Sequence, residues 1–66
     1  MDDWKERLYQ EQEELEARLN KLRNFILESP EFMALPNIKR RDLREQRHAM
    51  EAYNKILMRR INRSCV

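Results

Sequence analysis

Sixty-six residues make at most one domain, near the size at which a lone core is marginal without a disulfide, a metal or a partner copy. One Cys and one His exclude an internal disulfide and a four-ligand zinc site, and no apolar run approaches the ~20 residues of a membrane span, so oligomerisation is left as the route to stability. The formal charge of +2 hides an uneven split: residues 1–35 carry nine acids and five bases (−4) and residues 36–66 three acids and nine bases (+6), so the halves can attract each other or the basic half can hold an anion.

The first predicted element is a helix over about 3–28, for which Asp2 or Asp3 is a suitable N-cap. Its apolar line is Leu8, Leu15, Leu19, Leu22 and Ile26, with Gln12 in the gap. Steps alternating between four and three make this a seam for another helix. Gln12 is there either as a register-setting polar layer or as a ligand contact. "ESPEF" stops the helix, because Ser29 precedes a proline and avoids the α conformation. Ser29 can cap and Pro30 fits the first turn of a short helix over about 30–35. Pro36 breaks the chain again, with Asn37 as the next cap, and the last helix spans about 38–63. Its inward positions are Leu43, Met50, Tyr53, Leu57 and Ile61, with Ala49 and Ile56 widening the face to roughly 140°. A face that wide packs on more than one neighbour. The expected architecture is therefore one all-α domain over 1–66: two long antiparallel helices with a short connecting helix, assembled as a homo-oligomeric helical bundle.

Catalysis has no support in the residues. Ser29 and Ser64 sit at helix ends, His48 lies on the polar side of the last helix, and "EQEELE" lacks histidine partners for a metal. No catalytic residue, metal or cofactor is expected, and the chain does not read as an enzyme. The run "KRRDLR" reads as a solvated helix face. The lone Cys65 and the lack of a leader-like segment point to a reducing cytosol, with Cys65 as a tail residue.

A second stripe on the first helix carries more. Trp4, Arg7, Glu11, Glu14, Arg18, Lys21 and Phe25 recur at steps of three and four along one flank. If two first helices cross antiparallel near Glu14, residue i of one lies near residue 28 − i of the other. Trp4 then meets Asn24 and Phe25, and Arg7 meets Lys21. Two facing cations repel unless an anion lies between them or acids neutralise them. Rings that stack bases and cations that hold phosphates suit a nucleotide. A helix dimer with Trp4 packed on a neighbour and Arg7 bridged to Glu11 has the same pattern, so the pattern leaves both readings open. Tyr9, on the opposite flank, reads as rim packing. In "MRRINRSCV", Arg59, Arg60 and Arg63 complement the helix dipole, and Arg60, on the inward side, is the one that best reaches an interface or pocket.

The order "ERLYQEQEELEARLNKLRNFILES", then "F" and "LP", then "DLREQRHAMEAYNKILMRRI" resembles the small anti-CBASS cyclic-oligonucleotide sponges of T4-like and other tailed phages, over nearly the whole chain. The resemblance implies a protein of the host bacterial cytoplasm that binds cyclic dinucleotides such as cyclic GMP-AMP, and in some members cyclic trinucleotides, without cleaving them, so that CBASS effectors are never activated. It implies a compact helical homohexamer with the dinucleotide between paired protomers, against the first long helix. The family's lysine corresponds to Lys21 and its aromatic to Trp4, with Tyr9 as the alternative. Trp4 stands where relatives often have Tyr, which keeps ring stacking but removes a hydroxyl. The expected ligand-binding set is Trp4, Arg7, Leu8, Tyr9, Glu11, Lys21 and Phe25, with Arg59 and Arg60 as a candidate second anion site for a trinucleotide. Neither a membrane nor a specific nucleic acid is an expected partner. The competing expectations are a phage helical adaptor that binds and inhibits or redirects a host protein, and a weak nucleic-acid binder whose duplex affinity falls steeply with salt.

Overall fold

The computed structural model describes residues 3–64; Asp2 and Cys65, considered above as a cap and a tail residue, lie outside them. Three helices follow in order: α1 (Asp3–Glu28), α2 (Pro30–Ala34) and α3 (Asn37–Ser64). The described residues contain no strand. α1 and α3 pack against each other as an antiparallel hairpin measuring 48 × 15 × 14 Å.

The reversal is made without glycine, and no described residue has a positive φ. Capping and proline do the work instead. Ser29 is extended (φ −83, ψ 125), and its hydroxyl oxygen accepts a hydrogen bond from the Glu31 backbone N–H at 3.2 Å. Its own N–H still donates to the Phe25 carbonyl at 3.2 Å, so the end of α1 is satisfied while the chain turns. Leu35 is extended and closes α2 one residue earlier than expected, its N–H donating to the Phe32 carbonyl at 3.1 Å. Pro36, not Asn37, takes the N-cap place of α3: its carbonyl accepts from the Arg40 N–H at 3.1 Å. Asn37 is already helical, and its side-chain oxygen accepts from the Arg40 guanidinium. An N-cap residue contributes only its carbonyl to the ladder, so the missing N–H of proline costs nothing there.

Phe32 plugs the closed end. It is fully buried, with the Phe25 ring edge-on at 5.8 Å and 84°, and the Arg44 guanidinium over its face at 5.3 Å. α2 thus pins both long helices through one aromatic side chain.

The seam is narrow. Leu8, Leu15 and Leu57 form its buried cluster, with Met50 and Ile61 packed against them. Leu19 is also buried, while Leu22, Ile26 and Leu43 are half-buried. Gln12 is a polar layer: its Nε2 donates to Asn54 Oδ1 at 3.1 Å. With 12 opposite 54, residue i of α1 lies across from about residue 66 − i of α3. Besides Glu51, the less exposed positions of α3 are Arg40, Leu43, Arg47, Met50, Asn54, Leu57 and Ile61, again at alternating three and four. Three of these are polar, and apolar patterning passed over them. The Nε atoms of Arg40 and Arg47 are buried without a hydrogen-bond partner. Their aliphatic stems cover the seam while the ends of the guanidinium groups reach outward. Tyr53, Ala49 and Ile56, taken as part of the inward face, are exposed in this hairpin. A single partner helix covers only a stripe, and it covers the Met50–Leu57 side.

One polar network brackets the hairpin. Arg23 Nη2 and Nε donate to Glu51 Oε2 at 2.9 and 3.2 Å, and Arg23 Nη1 reaches Asn20 Oδ1 at 3.4 Å. Arg47 Nε and His48 Nδ1 lie 3.9 and 3.8 Å from Glu51 Oε1. The hydrogen bond from Arg23 holds the Glu51 carboxyl below the ordinary glutamate value, with the charges of Arg23, Arg47 and His48 adding to it and partial burial opposing. A carboxyl whose folded pKa is lowered stabilises the fold above its unfolded pKa and loses that contribution as pH falls through the folded one. Chemical denaturation of the wild type and Glu51→Gln should therefore differ most at neutral pH, the wild type being the more stable. The gap should close as the pH drops below the ordinary glutamate range.

Candidate functional site

The antiparallel hairpin brings the first turns of α1 to the last turns of α3. Trp4, Leu8, Arg60 and Arg63 line an open cleft of about 280 Å³ there. Leu8 is buried and forms an apolar floor, while the Trp4 indole is 53% exposed. The Lys5 ammonium sits 5.6 Å from the centroid of the Trp4 ring. Arg60 and Arg63 occupy the cationic wall, at the end of α3 where positive charge is favoured by the helix dipole. An exposed ring, an apolar floor and two guanidinium groups suit a flat ring that carries an anion. The cleft is open and below the usual ~300 Å³ of a small-molecule pocket. A ligand larger than one ring and one anionic group needs a further wall.

The sequence-predicted residues divide between this cleft and the flank of α1. Trp4 and Leu8 line the cleft. Arg7, Glu11 and Lys21 are exposed along the flank. Among the described residues no ion pair joins Arg7 to Glu11, or Glu14 to Arg18, although each pair is spaced one turn apart. The Arg7–Glu11 bridge that competed with the anion reading is therefore not formed among the described residues. Lys21 lies 17 residues beyond Trp4, roughly 26 Å along the helix, so the two do not meet in one copy. Phe25 is committed edge-on to Phe32. Tyr9, 41% exposed, lies on the side of α1 away from Arg7. Arg59 and Arg60 part company: Arg60 lines the cleft and Arg59 does not.

Sequence reasoning assigned Trp4 and Arg60 to two different candidate sites, and in the hairpin both line the same cleft. Arg63, assigned only to the helix dipole, joins them. The signal was available in the register, since 66 − 4 is 62, but it required the seam to be aligned first. Among the described residues no group of three His, Cys, Asp or Glu side chains is placed to hold a metal ion, and no helix is long and apolar enough to cross a membrane.

A protein-family model described as Sequestin matches residues 2–63. The chain belongs to the Sequestin family. This agrees with the resemblance to the sponge proteins, and the name of the Sequestin family itself points to sequestration. No curated protein and no solved structure matches this Sequestin chain.

Trp4 is the single tryptophan, so its fluorescence reports the cleft alone. Quenching by iodide, compared with neutral acrylamide, should exceed that of a free indole because the cleft arginines concentrate the anion. In Arg60→Gln/Arg63→Gln the iodide constant should fall roughly fivefold at low salt, since each of the two unit charges, about 8 Å away in water, is worth ~0.5 kcal/mol. Acrylamide quenching should not change.

Proposed function

We propose that this Sequestin chain captures cyclic dinucleotides, with cyclic GMP-AMP as the type ligand, and holds them uncleaved in the host bacterial cytoplasm so that CBASS effectors stay inactive. The observation that carries this reading is the exposed Trp4 ring set beside Arg60 and Arg63 over the buried Leu8. Rings stack on bases and guanidinium groups bind phosphates, and the cleft supplies both at one place. The flank of α1 adds Arg7 and Lys21, which form no ion pair with an acid among the described residues. In an antiparallel pair of first helices these two cations face each other, and a phosphate between them removes their repulsion. The working assembly is a homo-oligomer, a homohexamer by the resemblance, because the single-chain cleft is too small for a whole dinucleotide. Arg59 and Arg60, offered by the sequence as a second anion site for cyclic trinucleotides, make no separate cleft in one copy, because Arg60 lines the cleft of Trp4.

Sequestration requires affinity and not turnover, so the absence of acid–base machinery in the sequence is what this role calls for.

Titration calorimetry with cyclic GMP-AMP tests the site. Trp4→Ala/Lys21→Ala should lose at least about a hundredfold in affinity, from ~1–3 kcal/mol of stacking and ~1.5–3 kcal/mol of charge-assisted hydrogen bonding. The oligomer should persist. Undiminished binding removes the assignment. In a separate experiment, cyclic GMP-AMP held for hours by the wild type and then released by heat denaturation should elute intact on chromatography. Linear products would make the protein an enzyme.

A further inference from the structure

Both sides of the seam are built on the same spacing of three and four, and the hydrogen bond from Gln12 to Asn54 aligns them in layers. Leu8 is level with Leu57, Gln12 with Asn54 and Leu15 with Met50. Two lines of equal spacing can also pair one layer out of step. Moving α3 by one turn, about 5.4 Å, in one direction sets Gln12 against Leu57 and Asn54 against Leu15. In the other direction Gln12 meets Met50 and Asn54 meets Leu8. The apolar layers accept either slip, because hydrophobic burial has no direction and Leu and Met are close in volume. The amides do not. Either slip presses both against alkyl groups, and a polar group left without a partner away from water is strongly unfavourable.

The cleft depends on which alignment is chosen. Trp4 precedes Gln12 by roughly 12 Å of helix, and Arg60 and Arg63 follow Asn54 by roughly 9 and 14 Å. The ring and the two guanidinium groups therefore come level when the amides are paired, and they line one cleft. The other ties act elsewhere. Phe32 holds the closed end through Phe25, which is roughly 30 Å along α1 from Trp4. Arg23 and Glu51 are long side chains, 41% and 29% exposed, that can follow a shift of the backbone. An ion pair so open to water discriminates weakly between alignments.

We infer that Gln12 and Asn54 are positioning residues for ligand capture: the amide pair in the middle of the hairpin decides whether Trp4, Arg60 and Arg63 act together on one ligand at its end. That the cleft captures a ligand rests on the proposed function. That the amides bring Trp4 level with the arginines rests on the hairpin alone. Leucine at both positions would bury more apolar surface, so the pair serves alignment more than stability. Stability and recognition should then move in opposite directions when the pair is replaced, which a purely structural hydrogen bond does not predict.

The full-length chain allows both to be read. Gln12→Leu/Asn54→Leu should unfold at a urea concentration equal to or above that of the wild type. Its affinity for cyclic GMP-AMP by titration calorimetry should nonetheless fall at least about tenfold, because the stacking ring and the guanidinium groups no longer meet the ligand together. Trp4 is the single tryptophan, so its indole N–H gives one signal in a proton–nitrogen NMR spectrum. Without any ligand, that signal should split or broaden in the leucine variant as alignments coexist. Gln12→Asn/Asn54→Gln keeps an amide pair with its ends exchanged and should restore the single signal and the affinity. A leucine variant with one unshifted indole signal and full affinity overturns the inference. So does an affinity that falls only in step with stability, or an exchanged pair that restores neither readout. If the indole signals behave as expected and the wild type does not bind cyclic GMP-AMP, the proposed function fails while the alignment by Gln12 and Asn54 stands.

Discussion

A hairpin of two helices has one seam, and each helix can bury only one stripe in it. That constraint governs everything else in this molecule. Five apolar side chains are buried among the described residues: Leu8, Leu15, Leu19, Phe32 and Leu57. Each is worth roughly 1.5–3 kcal/mol when fully removed from water, a sum easily matched by the conformational entropy of ordering helices of 26 and 28 residues. The hairpin is thus at the margin of stability by itself. Tyr53, Ile56 and Trp4 stay in solvent because the facing long helix covers only the seam stripe and α2 sits at the closed end.

What the seam lacks in area it makes up in definition. Gln12 and Asn54 form a hydrogen-bonded layer that is satisfied in one register, and Arg23 with Glu51 adds a second tie one side out. Such layers contribute less stability than leucine would but discriminate against slippage. Register matters here because it selects which residues meet at the open end. A slip of one turn would move α3 by about 5.4 Å and carry Arg60 and Arg63 away from Trp4. The polar layer in the middle of the hairpin therefore positions a cleft at its end. Phe32 acts similarly from the closed end, holding the helices through Phe25 and Arg44 without any glycine turn.

The charge pattern divides along the same lines. Glu51 neutralises the cations on one side of the seam, and that side is internally paired. On the other side, no ion pair joins Arg7, Lys21, Arg60 or Arg63 to an acid among the described residues. A face that combines such cations with exposed rings is complementary in charge and shape to an anionic, aromatic group.

The sequence by itself determined the helices, because three- and four-residue spacing, two prolines and a capping serine are local signals. α1 and α2 follow those signals to within a residue, and Gln12 was legible as a polar layer. The family could be recognised from the conjunction of its short motifs. Three things were decided only by tertiary structure. Arg40, Arg47 and Asn54 belong to the seam, yet apolar patterning cannot see residues that contribute stems or an amide. Pro36 caps α3 in place of Asn37, by one carbonyl. Trp4, Arg60 and Arg63 share one cleft because residues nearly 60 positions apart become neighbours only when two helices settle into one register. Spacing along a helix reports which residues share a face, and only the packing of one helix on another reports which faces meet.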